Sequence, residues 1–465
     1  MATILIGGTV ITADDSYQAD VRIEGEKIVA IGQYVPKAED ITIDVTGCFL
    51  FPGGIDPHTH FDLPVGVTTT ADDFSSGTKA AAVGGTTTVI DFATQNKGES
   101  LEQALKNWHE KADGKCYVDY GFHLAISDLN QNVLEEMTTL NQHTGVASIK
   151  LYMAYKNILQ VDDSNLLQVL KLAEKVGLLV CVHCENGDVI DVLVKEAREE
   201  GNSEPKYHAL TRPVSVEKEA TARAIFLAEI ANAPLYVVHV SSKAALQTIE
   251  EGQSRGLPIY GETCPQYLLL DESYYDAKDF SAAKYVMSPP LRSVDNQAAL
   301  WTGLGNGSLA TVGSDHCSFN LLDQKDLGDK DFSKIPNGGP GVENRFGLLY
   351  THGVATGKIS LNQFVAITST NAAKLFGLFP RKGTIGVGSD ADIVVWDPTL
   401  QSTISASTQT QNVDYNLYEG MQQIGKPRYV FLRGKNIVTN GILHDDVPVG
   451  CYLKRKSGGI GSVPV

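Results

Sequence analysis

Between residues 48 and 316 the chain alternates short apolar runs with amphipathic helical stretches, and this alternation constrains the fold more than any other feature. Short apolar runs predict buried strands, and apolar residues at helical spacing predict helices. Eight strand-helix units in one block favour a closed parallel (β/α)8 TIM barrel. A doubly wound open sheet is the alternative. The runs span residues 48–55, 86–92, 119–126, 148–154, 178–184, 234–241, 258–263 and 309–314.

The two ends of the chain have a different pattern, with short alternating strands separated by turn residues. So few strands cannot enclose a core at either end alone, and we therefore expect the two ends to pair. The sequence predicts a small β-sandwich domain built from residues 1–50 and 384–465, beside a barrel domain over residues 51–383. Segment 401–425, rich in Ser, Thr and Gln, is predicted to be a loop or an excursion from the domain.

The composition is that of an ordinary globular protein. A chain of 465 residues with 43% hydrophobic residues and a net charge of −17 has no basic cluster larger than 454–456. This balance argues against nucleic acid or an anionic membrane as a partner and favours a small neutral or metal-bound substrate. The first residues lack the basic and apolar regions of a signal peptide, and the seven cysteines are scattered. Both features predict a cytoplasmic protein with reduced thiols.

Polar residues at the ends of the predicted strands form a candidate metal site. In barrel enzymes the site lies at the carboxyl ends of the strands. Two imidazoles two residues apart on a strand project to the same face, so that one ion could be bound by both. The remaining histidines are interpreted as satisfied or solvated side chains. The strand-end residues are His58, His60, Lys150, His183, His239 and Asp315.

The types of these residues indicate zinc. Imidazoles and a carboxylate suit zinc, and four imidazoles with one carboxylate exceed the needs of one open tetrahedral site. Two ions are therefore predicted. Lys150 leaves two interpretations open, because two divalent cations would repel an ammonium group. Either it faces away from the site, or burial lowers its pKa and the neutral amine has added carbon dioxide to form a carbamate that bridges the ions.

Several ordered motifs resemble the dihydropyrimidinase and D-hydantoinase family of cyclic amidohydrolases. The likeness spans nearly the whole chain. The motifs are DPHTH (56–60), TADDFSSGTKA (70–80), GGTTTVIDF (84–92), KLYMAYK (150–156), HCEN (183–186), HVSS (239–242), GETCPQY (261–267), GSDHCS (313–318) and IPNGGPGVENR (335–345).

The resemblance implies a catalytic centre of two zinc ions bridged by a carboxylated lysine and a hydroxide. One ion would be held by His58, His60 and Asp315, and the other by His183 and His239. The bridge would be Lys150, modified to N6-carboxylysine. The resemblance thus favours the carbamate interpretation of this lysine. The hydroxide would attack the ring amide carbon, and Asp315 would carry its proton to the leaving nitrogen.

The resemblance also implies how a substrate is bound. Tyr155 would stabilise the developing oxyanion, and Ser288 and Asn337 would hold the cyclic imide through main-chain groups. Dihydropyrimidines and 5-substituted hydantoins would be hydrolysed to N-carbamoyl amino acids, with a preference for the D enantiomer. Members of the family are commonly homo-oligomers, tetramers or dimers. An apolar pocket for the ring substituent would include Leu63, Met153 and Leu159.

Three rival functions share parts of this pattern. Dihydroorotase places an arginine shortly after the paired histidines, whereas residues 61–64 are FDLP. An allantoinase-like cyclic ureide hydrolase stays open, although Tyr155 and residues 70–74 favour the dihydropyrimidinase branch. A non-catalytic, dihydropyrimidinase-like scaffold protein is disfavoured, because all six ligand positions are filled.

Overall fold

The structure, a computed structural model, describes residues 2–444 and 447–457. Eight parallel strands in this range form one sheet, in which each strand pairs with the next along the chain. The first and last strands meet where the His60 N–H donates to the His316 carbonyl at 2.8 Å. The predicted (β/α)8 barrel is therefore confirmed. Its strands are Gly54–Thr59, Thr86–Thr94, Asp119–Ala125, Ser148–Tyr152, Leu179–His183, Leu235–Val237, Ile259–Thr263 and Leu309–Val312.

The barrel strands are buried on both faces. Every residue of the fourth, fifth and seventh strands is buried, as expected for a parallel sheet that is covered outside and filled inside. For this reason the strands are nearly continuous apolar runs in the sequence. The polar exceptions, among them Lys150, His183 and Glu262, are shielded from water and need partners within the protein.

Helices connect the barrel strands and pack against the sheet. Several begin at a side chain that accepts an N–H of the first turn, as Asp162 does from Asn165, which satisfies a group without a partner inside the helix. Among the described residues, none of the helices has the length and apolar content to span a bilayer. The α-helices are Phe74–Val83, Leu101–Ala112, Gln131–Thr144, Asp163–Val176, Gly187–Glu199, Lys206–Leu210, Val214–Ala231, Lys243–Ser254, Pro265–Leu269, Asp295–Asn306, Arg345–Leu349, Leu361–Val365 and Asn371–Leu375. Tighter 3-10 turns span Glu272–Asp276, Phe280–Tyr285, Lys325–Gly328 and Phe332–Lys334, and wider π turns span Tyr350–Val354 and Ala366–Thr370.

Strands from both chain ends form two further sheets. In the larger sheet, Phe49–Pro52 lies between a strand from each end of the chain. Leu5 and Val21 of the smaller sheet share an apolar core with Leu50 and Val395 of the larger one. The predicted β-sandwich built from both termini is confirmed. The smaller sheet contains Thr3–Ile6, Asp20–Glu24, Lys27–Gly32 and Ile41–Asp44; the larger contains Thr9–Ile11, Ser16–Gln18, Phe49–Pro52, Ile393–Thr403, Gln422–Leu432, Lys435–Thr439 and Ile442–Leu443; a separate hairpin pairs Pro64–Val65 with Thr68–Thr69.

The sequence predicted that the apolar run 48–55 is one barrel strand, and this prediction is wrong. The chain leaves the sandwich and enters the barrel within this run: the Gly53 N–H donates to Asp392, and the Gly54 N–H donates to Gly85. A Cβ atom at Gly53 would lie 2.0 Å from Thr87 Oγ1, so only glycine fits at this crossing. Apolar patterning does not change where a chain passes between two buried sheets, and the sequence therefore hides the break. The division into domains after residues 50 and 383 stays a prediction.

The prediction of a loop over residues 401–425 is wrong at both ends. Strands Ile393–Thr403 and Gln422–Leu432 continue as an antiparallel pair into this segment, with Gln401 opposite Ile424 and Thr403 opposite Gln422. Several side chains of this extension are exposed or half-buried. A two-stranded ribbon with little to bury can have the polar composition of a loop, and this explains the error.

A buried cation joins the barrel to the sandwich. Lys382 Nζ lies 2.6 Å from Asp119 Oδ2 at the start of the third barrel strand. It also lies 2.6 Å from Asp392 Oδ2 and 3.2 Å from Asp390 Oδ2, next to the sandwich strand that begins at residue 393. Although burial alone would lower the pKa of Lys382, these carboxylates raise it.

Candidate active site

The paired histidines and Asp315 meet at the carboxyl end of the barrel. His58 lies in the first strand and His60 follows its last residue. Asp315 Oδ1 is 3.2 Å from Nε2 of each imidazole, and one potential ligand atom from each of the three residues falls within 4.8 Å of the others. A pair of histidines and an aspartate more than 250 positions away in the sequence thus form a group that could hold one metal ion.

A second histidine pair lies beside this group. His183 ends the fifth strand, and its Nδ1 is 2.9 Å from Nε2 of His239. The ring centroids of His239 and His58 are 5.4 Å apart. The four predicted imidazole ligands therefore form one continuous cluster.

Lys150 is fully buried in the fourth strand, and its side chain does not turn away to solvent. Its Nζ has no hydrogen-bond partner among the described residues, and it lies 4.8 Å from the Phe92 ring centroid and 5.0 Å from that of Tyr152. Burial lowers the pKa of Lys150 to about 8, although nearby acidic groups oppose this shift. An unpaired buried amine is unusual, because polar groups shielded from water are normally hydrogen-bonded.

The pKa shifts of three residues in this cluster favour the forms that bind metals. Burial lowers the pKa of His58 and of His239 well below the ordinary value, with help from Lys150. Burial alone would raise the pKa of Asp315, but His58, His60 and Lys150 lower it. Neutral imidazoles and an ionised carboxylate are the forms in which these side chains bind divalent metals.

Glu262 contacts two histidines of the cluster, although it is not among the residues that the sequence predicted for the site. Its Oε1 is 2.6 Å from His58 Nδ1 and accepts the His239 N–H at 3.2 Å, while its Oε2 accepts the Tyr236 hydroxyl at 2.8 Å. Burial raises the pKa of Glu262 to about 7, against the Tyr236 hydrogen bond and Lys150. A carboxylate in this position fixes the ring orientation of a ligating histidine and leaves its other nitrogen for the metal.

Glu185 has the same relation to the second histidine pair. Its Oε2 is 2.8 Å from His183 Nε2, so that His183 Nδ1 is directed toward His239. Burial alone would raise the pKa of Glu185, but His183 and Arg212 lower it. Its position two residues after a strand-end histidine was the available sequence signal.

Three residues of the site adopt left-handed backbone conformations. The φ angles of Tyr155, His239 and Asp315 are 64°, 40° and 50°. Non-glycine residues rarely adopt such angles, and where they do the surrounding structure must hold them. All three lie just after barrel strands, where the chain turns sharply and directs the side chain across the mouth of the barrel.

Tyr155, Ser288 and Asn337 form a polar group next to the histidines. The Tyr155 ring centroid is 5.4 Å from that of His183. Burial raises the pKa of the Tyr155 hydroxyl, and the nearby Ser288 side chain opposes this shift. Ser288 Oγ accepts the Asn337 side-chain N–H at 3.2 Å and lies 3.2 Å from His208 Nε2. The structure therefore brings together the three polar residues for which the family resemblance implies a role in substrate binding.

The three residues of the predicted apolar pocket differ in burial and position. Met153 is 2% exposed and belongs to the main apolar core, and Leu63 packs against that core. Leu159 is half-buried in the loop after the fourth strand, where its N–H donates to the Tyr155 carbonyl. Leu159 thus lies in the same loop as Tyr155, the predicted oxyanion donor, and its main chain is hydrogen-bonded to it.

Comparison with known proteins agrees with this geometry. The amidohydrolase family matches residues 49–437. The chain belongs to the amidohydrolase family. A D-hydantoinase of Geobacillus stearothermophilus is 52% identical over 99% of this chain and 98% of the relative, and a dihydropyrimidinase of Rattus norvegicus is 43% identical over 97% and 88%. The crystal structure of dihydropyrimidinase from Brevibacillus agri NCHU1002 superimposes with a TM-score of 0.97 at 56% identity, covering 98% of this chain and 99% of the other.

These relatives confirm the predicted resemblance to dihydropyrimidinases and D-hydantoinases, and with it the prediction of a cyclic amidohydrolase enzyme. The identity extends over nearly the full length of this amidohydrolase, so that both the barrel and the sandwich are shared.

Proposed function

We propose that this amidohydrolase hydrolyses the cyclic amide bond of dihydropyrimidines and 5-substituted hydantoins and releases N-carbamoyl amino acids, in a zinc-dependent reaction. The observation that carries the proposal is the meeting of six candidate metal ligands with Tyr155, Ser288 and Asn337 at one end of the barrel. The names of the D-hydantoinase and dihydropyrimidinase relatives support the substrate class.

The residues present fit a pair of zinc ions. His58, His60 and Asp315 would hold one ion, and His183 with His239 the other. The buried Nζ of Lys150, without a hydrogen-bond partner in the described chain, suits a carbamate that contacts both. Because the pKa of Lys150 is lowered to about 8, the neutral amine that reacts with carbon dioxide is accessible near neutral pH.

When bound, the ions would supply Lewis-acid polarisation of the amide carbonyl and of a water molecule. The chain's own residues would do the rest. Ser288 and Asn337 would hold the ring so that one carbonyl faces the histidine cluster, and the Tyr155 hydroxyl would donate to its oxygen as negative charge develops. Asp315 would accept the proton of the attacking water and deliver it to the ring nitrogen as the C–N bond breaks.

The test is a zinc count on purified protein combined with turnover on four substrates in parallel. We expect two zinc ions per chain and hydrolysis of dihydrouracil and of D-5-substituted hydantoins, with little activity on dihydroorotate. Preference for allantoin would instead establish the allantoinase alternative. Absence of both zinc and turnover would identify a scaffold protein.

The lysine bridge has a separate test. Lys150→Ala should lose most of the zinc and nearly all activity, because the carbamate supplies an anionic ligand to both ions. Carbon-13 NMR of protein equilibrated with labelled bicarbonate should show a carbamate signal in the wild type and none in the variant. A fully metallated and active Lys150→Ala enzyme contradicts the bridge.

We also propose that the protein is a homo-oligomer of the cytoplasm. Val192 on helix Gly187–Glu199 and Phe226 on helix Val214–Ala231 are more than half exposed, and such side chains are compatible with the homo-oligomer, dimer or tetramer, expected from the family. All seven cysteines are free, in keeping with a reducing cytoplasm. Light scattering on the purified protein would give the oligomeric state.

A further inference from the structure

A buried lysine outside the proposed metal site joins two loops at the mouth of the barrel. The Lys325 side chain is 0% exposed. Its Nζ donates to the Val286 carbonyl at 3.0 Å and to the Pro336 carbonyl at 3.1 Å. Val286 lies two residues before Ser288, and Pro336 lies directly before Asn337. The ammonium therefore contacts the main chain immediately behind both residues proposed to bind the substrate.

The same two loops are also bonded to each other. The Gly338 N–H donates to the Val286 carbonyl at 3.0 Å, and the Asn337 side-chain N–H donates to Ser288 Oγ at 3.2 Å. The Val286 carbonyl thus accepts from both Gly338 and Lys325. These contacts make the two loops one unit, with Lys325 at its inner side.

The contact with Pro336 also sets the direction of a main-chain donor. In a trans peptide the C=O and N–H groups point in opposite directions, so that fixing the Pro336 carbonyl toward Lys325 directs the Asn337 N–H away from it. In residues 2–444 and 447–457, this N–H donates no hydrogen bond to another main-chain group. It is available to an acceptor such as a ring carbonyl.

Packing alone does not explain why a lysine is buried here. Removing an ammonium group from water is strongly unfavourable, and hydrogen bonds to two neutral carbonyls offset this only in part. Consistent with this, burial lowers the pKa of Lys325 to about 7, although Cys317 opposes the shift. Perturbed ionisable groups of this kind concentrate at functional sites.

We infer that Lys325 is a positioning residue for substrate recognition, whose ammonium fixes the loops that present Ser288 and Asn337. The inference rests on the proposed function in one respect, namely that these two residues bind the cyclic amide. It extends the binding apparatus to a side chain that touches neither the substrate nor the metal ligands.

Hydrogen exchange tests the positioning without any assumption about catalysis. Lys325→Met retains the length of the side chain and removes its donors, and Lys334→Met is a matched control, because Lys334 is exposed and paired only loosely with Asp331 at 3.7 Å. We expect faster exchange at the hydrogen-bonded amides of Val286 and Gly338 in Lys325→Met, with unchanged exchange in the strand Leu179–His183 and unchanged zinc content. Unaltered exchange in both loops overturns the inference, whether or not the protein is active.

Kinetics then test the role in recognition. For Lys325→Met, kcat/KM on dihydrouracil should fall by about 10- to 100-fold, the usual effect of a misplaced binding group, and the fall should be mainly in KM. A general loss of structure would instead lower kcat and zinc content together. The double variant with Asn337→Ala should depart from the product of the two single effects, because both changes act on the same pair of loops.

Strict multiplication of the two effects, or an unchanged KM in Lys325→Met, overturns the inference. If Lys325→Met does not fold, Lys325→Gln, which keeps an amide donor for one carbonyl, is used in the same comparisons and should lie between wild type and the expected Met effect. Failure of the wild type on every cyclic amide would count against the proposed function, while hydrogen exchange would still decide whether Lys325 fixes the loops.

Discussion

The contact between Glu262 and His58 gives the sharpest prediction for the metal centre. Glu262→Gln has nearly the same shape as the native side chain, and its amide oxygen can still accept from His58 Nδ1, now 2.6 Å from Oε1. Its amide nitrogen would donate to the Tyr236 hydroxyl oxygen. This oxygen can accept, because the hydroxyl hydrogen can be donated to Thr311 Oγ1 instead. The substitution therefore keeps the shape of the side chain and removes its ability to carry a negative charge.

The magnitude follows from the change in that hydrogen bond. A bond to an ionised group contributes about 1.5–3 kcal/mol, against about 1 kcal/mol for a neutral pair. The difference, about 0.5–2 kcal/mol, would be lost from the orientation and basicity of His58. We therefore expect the zinc site that includes His58 to bind its ion about 2- to 30-fold more weakly, a range that overlaps the roughly 10- to 100-fold loss typical of such supporting residues.

The assay is competition with a chromophoric chelator at buffered free zinc, performed on wild type, Glu262→Gln and the control Tyr236→Phe. The control removes the hydroxyl that donates to Glu262 Oε2 and leaves the contact of Oε1 with His58 in place, so that its zinc affinity should change less than that of Glu262→Gln. Saturating zinc should restore much of the activity that Glu262→Gln loses at limiting zinc. Equal zinc affinities in wild type and Glu262→Gln would refute the reasoning.

Three further predictions concern other parts of the molecule. Tyr155→Phe should retain zinc and lose about 10²-fold in kcat, as expected for an oxyanion donor; a small change confined to KM would make Tyr155 a binding residue only. Leu159→Ala should change the ratio of kcat/KM for D-5-phenylhydantoin and dihydrouracil, and an unchanged ratio would remove Leu159 from the substituent pocket. Lys382→Met should lower the free energy of unfolding by about 3–5 kcal/mol, because it removes the cation that three buried carboxylates share. The control Lys27→Met removes a half-exposed partner of Asp390 and should cost less than about 1 kcal/mol in the same denaturant titration.

The architecture could be predicted because burial in a parallel barrel leaves a direct trace in the sequence. Strands such as Leu179–His183 and Leu235–Val237 are apolar almost throughout, since both faces are covered. Polar residues follow at the ends of these strands, where the barrel opens. This rule alone predicts from the sequence that His58, His183, His239 and Asp315 lie together.

The features that the sequence did not reveal depend on contacts between distant segments. The crossing at Gly53 is set by Thr87 in another strand, and no local pattern records it. Lys325 lies in a short 3-10 turn among polar residues, where a solvated lysine is the ordinary interpretation. Its burial arises only when residues 286 and 336 fold over it.

Glu262 shows where sequence reasoning could have gone further. A carboxylate inside a fully buried strand must be neutral or paired, because an isolated buried charge is too costly. The strand-end histidines are the nearest polar groups on the same edge of the sheet, so that the pairing of Glu262 with His58 follows from the two observations together. The same argument applies to Asp91, which lies in the buried second strand and accepts from Thr59 and from the Phe61 N–H on either side of His60. Acidic residues within buried barrel strands therefore indicate which ligands are held in place from behind, and this information is present in a single sequence.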